Sequence, residues 1–514
     1  MNKLFSRISV ISLPAWEEFS QRAVRILTVV CIICAAVLSA YMLASRFFFL
    51  HNGFQYDELY SAITASPDLS LGYVWKHVLL QDINLPLFNV VLFIWNRIFP
   101  FTQFWMHLFS ALLSVAAVVA AWVLAPKYWE PLQKYMFVSL LACSFILSAY
   151  GAIVRTYSLA VLLATVFSLW ALRFLEKFSR GENPSVLSWL GFFIVGLLGA
   201  YSHFFCTALF FITALILFLY ACYYKVGRAW SFFGTAVVFG LWCLWLVRLI
   251  HIQQSGPGGS GFGWWYITPL AKATYEILIF LFGPRWLFTL IAYGIILAMV
   301  SLISTYKKSF FKQYDIVLPL GQIVILLVVV AAISTQVNLW MDRYFLPAMP
   351  SICLLFAVFL NHLRKRHAAL LVLWPMLLVG WVGFYFNIEH LYWKEYTGLH
   401  DAFVYLTKDM TQEPKQILVD FSGMGYPIAA VPYMLGFYIP PGKHLDMIQL
   451  TAQTAPLSWQ TTPKMQILLP LCSQTHLIYA SVKTNSEEDG TPLLFGGDTC
   501  VYTAHPVTPV GGKK

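Results

Sequence analysis

Long apolar runs alternate with short polar connectors over the first three quarters of the chain. About eleven of these runs approach the roughly 20 apolar residues that a helix needs to cross a bilayer. They fall near residues 24–47, 103–125, 134–151, 157–174, 186–203, 205–223, 229–250, 286–305, 315–335, 344–362 and 368–386. The pattern predicts an all-α polytopic membrane protein with about eleven transmembrane helices.

Two other apolar stretches predict helices that lie at the membrane surface. Residues 85–99 are too short to span, and counting them as a crossing would invert the polarity of every later loop. Residues 271–282 end at Gly283-Pro284, which interrupts a helix. Both lie on the same side as a long first loop, residues 50–102, and loops of that length usually carry a function.

Lys and Arg residues predict the orientation, because cytoplasmic loops are enriched in them. With the N-terminus inside, every inner loop is basic. The inner basic residues are Lys3, Arg7, Arg22, Arg25, Lys127, Lys134, Arg173, Lys177, Arg180, Lys225, Arg228, Lys307, Lys308, Lys312, Arg364, Lys365 and Arg366. An odd number of spans then places residues 387–514 outside.

The long apolar runs end before Asn387, and a different sequence pattern follows. Residues 399–410 read as a helix, and residues 416–420 and 476–482 read as strands between turn-rich segments. We therefore predict a transmembrane domain, residues 1–386, followed by an extracytoplasmic α/β domain, residues 387–514. Cys472 and Cys500 lie in this second domain, where an oxidising compartment would let them form a disulfide.

Composition excludes an ordinary soluble protein. Apolar residues make up 59% of the chain and charged residues 11%, with a mean hydropathy of +0.70. Soluble domains are about 45–50% apolar and about 25% charged. The formal charge of +10 follows the predicted topology rather than forming a patch, so it does not indicate a nucleic-acid partner.

Polar residues near the predicted outer surface form the candidate site. Charge at that depth is costly, so each such residue is a candidate for function. The candidates are Asp57 and Glu58 in the first loop, Asp82 and Asn84 before the first surface helix, Arg155 and Tyr157 between the third and fourth spans, His203 after the fifth, Arg285 at the eighth, and Arg343 and Tyr344 at the tenth.

These residue types suit sugar transfer from a lipid phosphate. A carboxylate can accept the proton of an acceptor hydroxyl as that hydroxyl attacks the anomeric carbon. Arginine matches phosphate oxygens bidentately and can stabilise a phosphate leaving group, and Tyr and His can add hydrogen bonds.

Each residue also has a structural interpretation. Asp57-Glu58 and Asp82 can cap helices, Arg155, Arg285 and Arg343 can reach lipid headgroups, and His203 can be a hydrogen-bonded structural histidine. The aromatic residues 264–266 are typical of an interfacial anchor. The functional interpretation rests on the coincidence of these residues at one face.

Five short motifs in order resemble those of the GT-C glycosyltransferases, specifically the bacterial relatives of dolichyl-phosphate-mannose protein mannosyltransferases and of the lipid A aminoarabinose transferase. The matching residues are Asp57-Glu58; Asp82, Asn84, Pro86 and Leu87; Arg155 and Tyr157; Tyr201 and His203; and Arg343, Tyr344, Pro347 and Pro350. The resemblance covers residues 20 to about 390. Lys76 lacks the proline-pair context of the aminoarabinose transferases, so a lipid A acceptor does not follow.

The resemblance implies an inverting transfer with Asp57 as catalytic base and Arg and Tyr side chains on the lipid phosphate. The implied donor is a polyprenyl-phosphate monosaccharide, and the acceptor is a lipid, a glycan or a protein. The sequence indicates no certain cofactor, and Asp57, Glu58 and Asp82 could hold a divalent metal ion. The alternatives are a transporter or flippase of lipid-linked sugars, and another lipid-linked enzyme such as a polymer ligase or an acyltransferase.

Overall fold

The computed structural model covers most of the helical part of the chain and five strands after it. It describes residues 13–48, 50–54, 56–80, 84–255, 270–287, 289, 291–292, 294, 312–334, 342–387, 416–419, 446–449, 465–469, 493–495 and 499–504.

Long helices dominate the first 387 residues. The α-helices are α1 (Leu13–Ser45), α2 (Tyr56–Thr64), α3 (Leu71–Val74), α4 (Leu87–Ile98), α5 (Gln103–Leu124), α6 (Pro131–Cys143), α7 (Phe145–Ala149), α8 (Tyr157–Ser179), α9 (Val186–Ala200), α10 (Phe204–Tyr224), α11 (Arg228–Ser255), α12 (Leu270–Phe282), α13 (Tyr314–Ser334), α14 (Met349–Arg366) and α15 (373–387). A π-helical turn, Trp75–Leu79, follows α3, and 3₁₀ segments, Asp342–Ala348 and Ala368–Val372, precede α14 and α15.

Within the described residues, eight helices are long and apolar enough to cross a membrane. This number is lower than the eleven transmembrane helices expected from the sequence for three reasons. The predicted span 134–151 is broken at Ser144, where the chain leaves α6 and re-enters a helix as α7. The predicted span 186–203 contains a helix of only 15 residues, α9. The predicted span 286–305 lies mostly outside the described residues.

Burial separates a central group of helices from peripheral ones. The apolar windows of α8 and of the segment containing α14 are 78% and 83% buried, whereas those of α1 and α11 are each 17% buried. Exposed side chains on the peripheral helices are large and apolar, for example Val37 and Leu244. An apolar exterior of this kind is what a bilayer requires, and the helical part has the construction of a multi-pass membrane protein.

A buried polar network fixes the central helices to one another. The Gln322 amide of α13 donates to Ser168 Oγ of α8 at 2.9 Å and to Thr213 Oγ1 of α10 at 2.6 Å. Its carbonyl accepts from Ser351 Oγ of α14 at 2.7 Å. All four side chains are buried, so the network sets the packing of four helices far from water.

Five strands follow the helical part: β1 (Gln416–Val419), β2 (Asp446–Gln449), β3 (Met465–Leu469), β4 (Leu493–Phe495) and β5 (Thr499–Ala504). They form one mixed sheet in the order β2-β1-β3-β5-β4. Strands β1, β2 and β3 are parallel, and β5 is antiparallel to β3 and β4.

One strand predicted for this region coincides with an observed strand, and three other expectations stay predictions. The first strand, β1, coincides with the predicted strand 416–420. The predicted helix 399–410 and strand 476–482 lie outside the described residues, as does Cys472, so the α/β character of the domain and its disulfide are untested.

Candidate active site

The acidic pair of the first loop opens a short helix and divides between two environments. Asp57 and Glu58 lie in the first turn of α2, where the positive end of the helix dipole favours carboxylates. Glu58 is fully buried, whereas the Asp57 side chain is 22% exposed. Neighbouring residues on a helix point apart, so only Asp57 is placed to meet a substrate.

Glu58 holds the loop that carries Arg155. Its Oε1 accepts the backbone N–H of Val154 at 2.7 Å and lies 3.1 Å from His107 Nε2 of α5. The other ring nitrogen of His107 lies 3.2 Å from the backbone oxygen of Leu50. The Glu58 carboxylate is therefore engaged inside the protein and ties α2 to the segment before Arg155.

Arg155 lies directly beside the acidic helix. Its Nη1 donates to the backbone oxygen of Asp57 at 3.2 Å and contacts Ser61 Oγ at 3.4 Å. These bonds join the segment between α7 and α8 to α2 and bring a guanidinium next to the candidate base.

Arg343 reaches the same carboxylate from the other side. It lies in the 3₁₀ segment before α14, and its Nη1 is 3.4 Å from Asp57 Oδ2. Tyr150, Tyr157 and Tyr344 are within electrostatic range of Arg343. Two arginines far apart in sequence thus converge on Asp57.

His203 is a neutral side chain that caps the start of α10. Its Nδ1 accepts the backbone N–H of Phe205 at 3.2 Å and caps the helix. Burial, with smaller contributions from Arg155 and Arg343, lowers the pKa of His203 to about 3. The ring is therefore uncharged at neutral pH, and because Nδ1 is an acceptor, the proton resides on Nε2.

Aromatic rings complete the wall around His203. Its ring centroid lies 6.0 Å from that of Tyr157 and 5.6 Å from that of Tyr344. Tyr150 packs edge-on against Tyr157 at 5.4 Å. The hydroxyl of Thr156 donates to the backbone oxygen of Ser202 at 2.7 Å, which ties the start of α8 to the start of α10. Helix N-termini placed together in this way favour an anion.

The remaining predicted site residues are Arg285, Asn84 and Asp82. Arg285 is exposed and contacts Tyr275 of α12 by a hydrogen bond and by stacking at 4.9 Å, not the Asp57 cluster. Asn84 is half-buried, and its segment is anchored through the Leu87 N–H to the Tyr201 carbonyl at 3.1 Å. Asp82 lies outside the described residues.

Arg46 is a supporting residue that the sequence analysis missed. It follows α1, is 2% exposed, and donates to Ser114 Oγ at 2.8 Å and to the Ala142 carbonyl at 3.1 Å, one of the last carbonyls of α6. A Cβ at Gly151 would approach within 3.3 Å of its side chain. The sequence signal for Arg46 was a single charged residue at the end of the first apolar run.

An apolar cavity of about 360 Å³ lies near the start of α14. It is lined by side chains of α12 and α13 together with Phe345, Ala348 and Ile352. Phe345 is two residues from Arg343, so the charged cluster and the apolar cavity lie on the same short segment.

No group of three or more His, Cys, Asp or Glu side chains suited to a metal ion occurs in the part of the chain that the structure describes. The polar cluster built from Asp57, Arg155 and Arg343 instead has the character of an anion site beside a carboxylate.

The chain shares its fold with solved structures of ArnT. The chain is similar to ArnT from Cupriavidus metallidurans in the apo state, with a TM-score of 0.55 and 12% identity, over 93% of this chain and 99% of that one. It is also similar to the same protein bound to undecaprenyl phosphate, with a TM-score of 0.51 and 12% identity, over 95% and 99% of the two chains. Comparison of the sequence with protein-family models and with curated proteins gives no match.

Proposed function

We propose that the protein is an inverting glycosyltransferase that moves a monosaccharide from a polyprenyl-phosphate donor to an acceptor. The observation that carries the proposal is the convergence of Arg155 and Arg343 on Asp57, with Arg343 at 3.4 Å from its carboxylate. The GT-C fold supports it, and the similar ArnT structure contains undecaprenyl phosphate.

Asp57 acts as the general base in this mechanism. An acceptor hydroxyl attacks the anomeric carbon, a new C–O bond forms, and the hydroxyl proton passes to the Asp57 carboxylate. The bond between the anomeric carbon and the phosphate oxygen breaks at the same time. Its electron pair leaves with the polyprenyl phosphate, and attack from the opposite face inverts the anomeric centre.

The two arginines and His203 receive the phosphate. Guanidinium groups can bind phosphate oxygens bidentately, and the Nε2–H of the neutral His203 can donate one more hydrogen bond. These donors stabilise the negative charge that develops on the leaving oxygen. Tyr157 and Tyr344 lie against His203 and bound the same space.

The apolar cavity provides a place for the start of the polyprenyl chain. Its lining combines Leu281, Ile323, Leu326 and Phe345 with similar side chains. A prenyl tail that enters this cavity from the lipid would bring its phosphate towards Arg343.

The basic inner loops support an outer, periplasmic location for the site and for residues 387–514. The proposed membrane is the cell inner membrane. The donor sugar is a hexose or a pentose, and the acceptor is a lipid, a glycan or a protein.

The test uses full-length protein reconstituted in liposomes with radiolabelled undecaprenyl-phosphate monosaccharides and a membrane extract as acceptor. Asp57→Asn keeps the shape of the side chain but removes the base, so turnover should fall by about 10²–10⁴-fold. The exposed Asp68→Asn is the matched control and should leave transfer unchanged. Near-normal transfer by Asp57→Asn would overturn the assignment of the base, and no transfer from any donor by the unmodified protein would overturn the function.

A further inference from the structure

A buried histidine connects the two loops that form the site. Glu58 and His107 are each 0% exposed, and their side chains meet at 3.1 Å. Glu58 directly follows Asp57 in the chain, and its second partner, the Val154 N–H, directly precedes Arg155. His107 in turn contacts Leu50, at the start of the first loop.

Hydrogen-bond chemistry fixes the proton count of this network. The Leu50 carbonyl can only accept, so His107 Nδ1 must carry a proton to bond with it. A further proton must then lie between His107 Nε2 and Glu58 Oε1, because two acceptors would otherwise face each other at 3.1 Å. The pair is either an imidazolium with a carboxylate or a neutral imidazole with a carboxylic acid. Both forms are neutral overall, and neither leaves a buried charge uncompensated.

We propose that His107 is a positioning residue for the glycosyl transfer. It holds Glu58 in the orientation that binds Val154, and through that bond it fixes the distance between Asp57 and Arg155. The inference rests on the proposed function for its kinetic consequence, but its structural consequence can be measured without any activity. His107 touches neither the reacting atoms nor the phosphate, so it is not a catalytic residue.

Two substitutions separate the two hydrogen bonds of His107. In His107→Gln, the amide nitrogen can take the place of Nε2 and donate to Glu58. In His107→Asn, the shorter amide can reach Leu50 in the place of Nδ1 but leaves Glu58 without its donor. Both remove the ring that packs against Phe54 at 5.1 Å.

The experiment measures hydrogen exchange and transfer on full-length protein in detergent. We expect faster amide exchange in the peptide that spans residues 150–158 for His107→Asn, and near-unchanged exchange for His107→Gln. With labelled undecaprenyl-phosphate monosaccharide, His107→Asn should lower kcat by on the order of 10²-fold, the effect of a misplaced reacting group, with little change in KM. His107→Gln should retain most of the turnover. The exposed His77→Asn serves as the control.

The outcomes distinguish this inference from the proposed function. Equal exchange and equal kcat in the Asn and Gln variants would overturn the positioning role. If the exchange difference is present but the unmodified protein transfers no sugar from any polyprenyl phosphate, the network stands and the proposed function fails. If His107→Asn prevents folding, a His107→Gln variant whose exchange is as fast and whose kcat is as low as those of Glu58→Ala would equally contradict the inference.

Discussion

Asp57 Oδ2 lies 3.4 Å from Arg343 Nη1, and this ion pair joins the first loop to the segment before α14. Both side chains are partly exposed, at 22% and 27%. A phosphate oxygen offers the guanidinium an anionic acceptor like that of the carboxylate, so a phosphate can replace Asp57 as the partner of Arg343. Donor binding would then release the carboxylate to act as a base.

The replacement of Asp57 by a phosphate as the partner of Arg343 predicts how Arg343 variants behave. Arg343→Ala should raise KM for the donor and also lower kcat, because the guanidinium meets the phosphate in both the ground and transition states. Arg343→Lys should restore part of the charge effect but not bidentate binding. Steady-state kinetics with undecaprenyl-phosphate sugars checks both. The exposed Arg285→Ala, whose contacts lie on Tyr275, should leave KM unchanged; equal effects of the two alanine variants would contradict the assignment.

His203 should make the folded protein sensitive to mild acid. Its pKa of about 3 lies below the value of about 6.5 in an unfolded chain. As pH falls through 6.5, the unfolded state binds the proton first, so stability decreases towards pH 3. The loss is about 1 kcal/mol by pH 5.5.

His203→Asn tests that dependence. Its Oδ1 can still cap α10, because Asn is a favoured N-cap residue, but it neither titrates nor carries the Nε2 donor. The unfolding temperature in detergent should therefore vary less between pH 7 and pH 5 than in the unmodified protein, and KM for the donor should rise. An unchanged pH dependence would show that His203 is not the titrating group.

Gln322 should contribute to stability rather than to chemistry. Gln322→Leu removes three interhelical hydrogen bonds and should destabilise the folded protein by roughly 1–3 kcal/mol. Thermal unfolding in detergent checks this, with the exposed Val324→Ala of the same helix as control. A double variant with Ser351→Ala should lose less than the sum of the single losses, since the two share a bond.

A topology experiment tests the proposed orientation. Alkaline phosphatase fused after Lys514 should be active, because the basic loops place the C-terminal end outside. A cytoplasmic green fluorescent protein at the same position should stay dark after export. The reverse pattern would invert the membrane and place the Asp57 cluster on the inner side.

Much of the helical fold could be predicted from the sequence. A long apolar run in a bilayer must satisfy its backbone hydrogen bonds internally, and a helix is one of the few structures that does so. The break at Ser144 could not be predicted, since the residues on both sides are equally apolar and Arg46, which bonds the Ala142 carbonyl there, is far away in the chain. The 15-residue helix α9 was likewise read as a full span from composition.

The convergence of Asp57, Arg155, His203 and Arg343 was predictable only as a coincidence of motifs at one face. The roles of Glu58 and His107 were not, because a histidine inside an apolar run has no local signal for its partner. Arg285 also carries the expected charge at the expected depth, but its guanidinium lies against Tyr275.

Because His203 is uncharged, the charge of the site at the end of the catalytic cycle is set by the other residues of the cluster. With one carboxylate and two guanidinium groups, Asp57, Arg155 and Arg343 carry a single surplus positive charge. A polyprenyl-phosphate sugar is a phosphodiester with one negative charge and neutralises that surplus. The released polyprenyl phosphate is a monoester with a charge of about −1.5 to −2, so the arginines should hold the product more tightly than the donor. Departure of the spent lipid would then limit the rate of repeated turnover, and a first rapid round of transfer should precede a slower steady state.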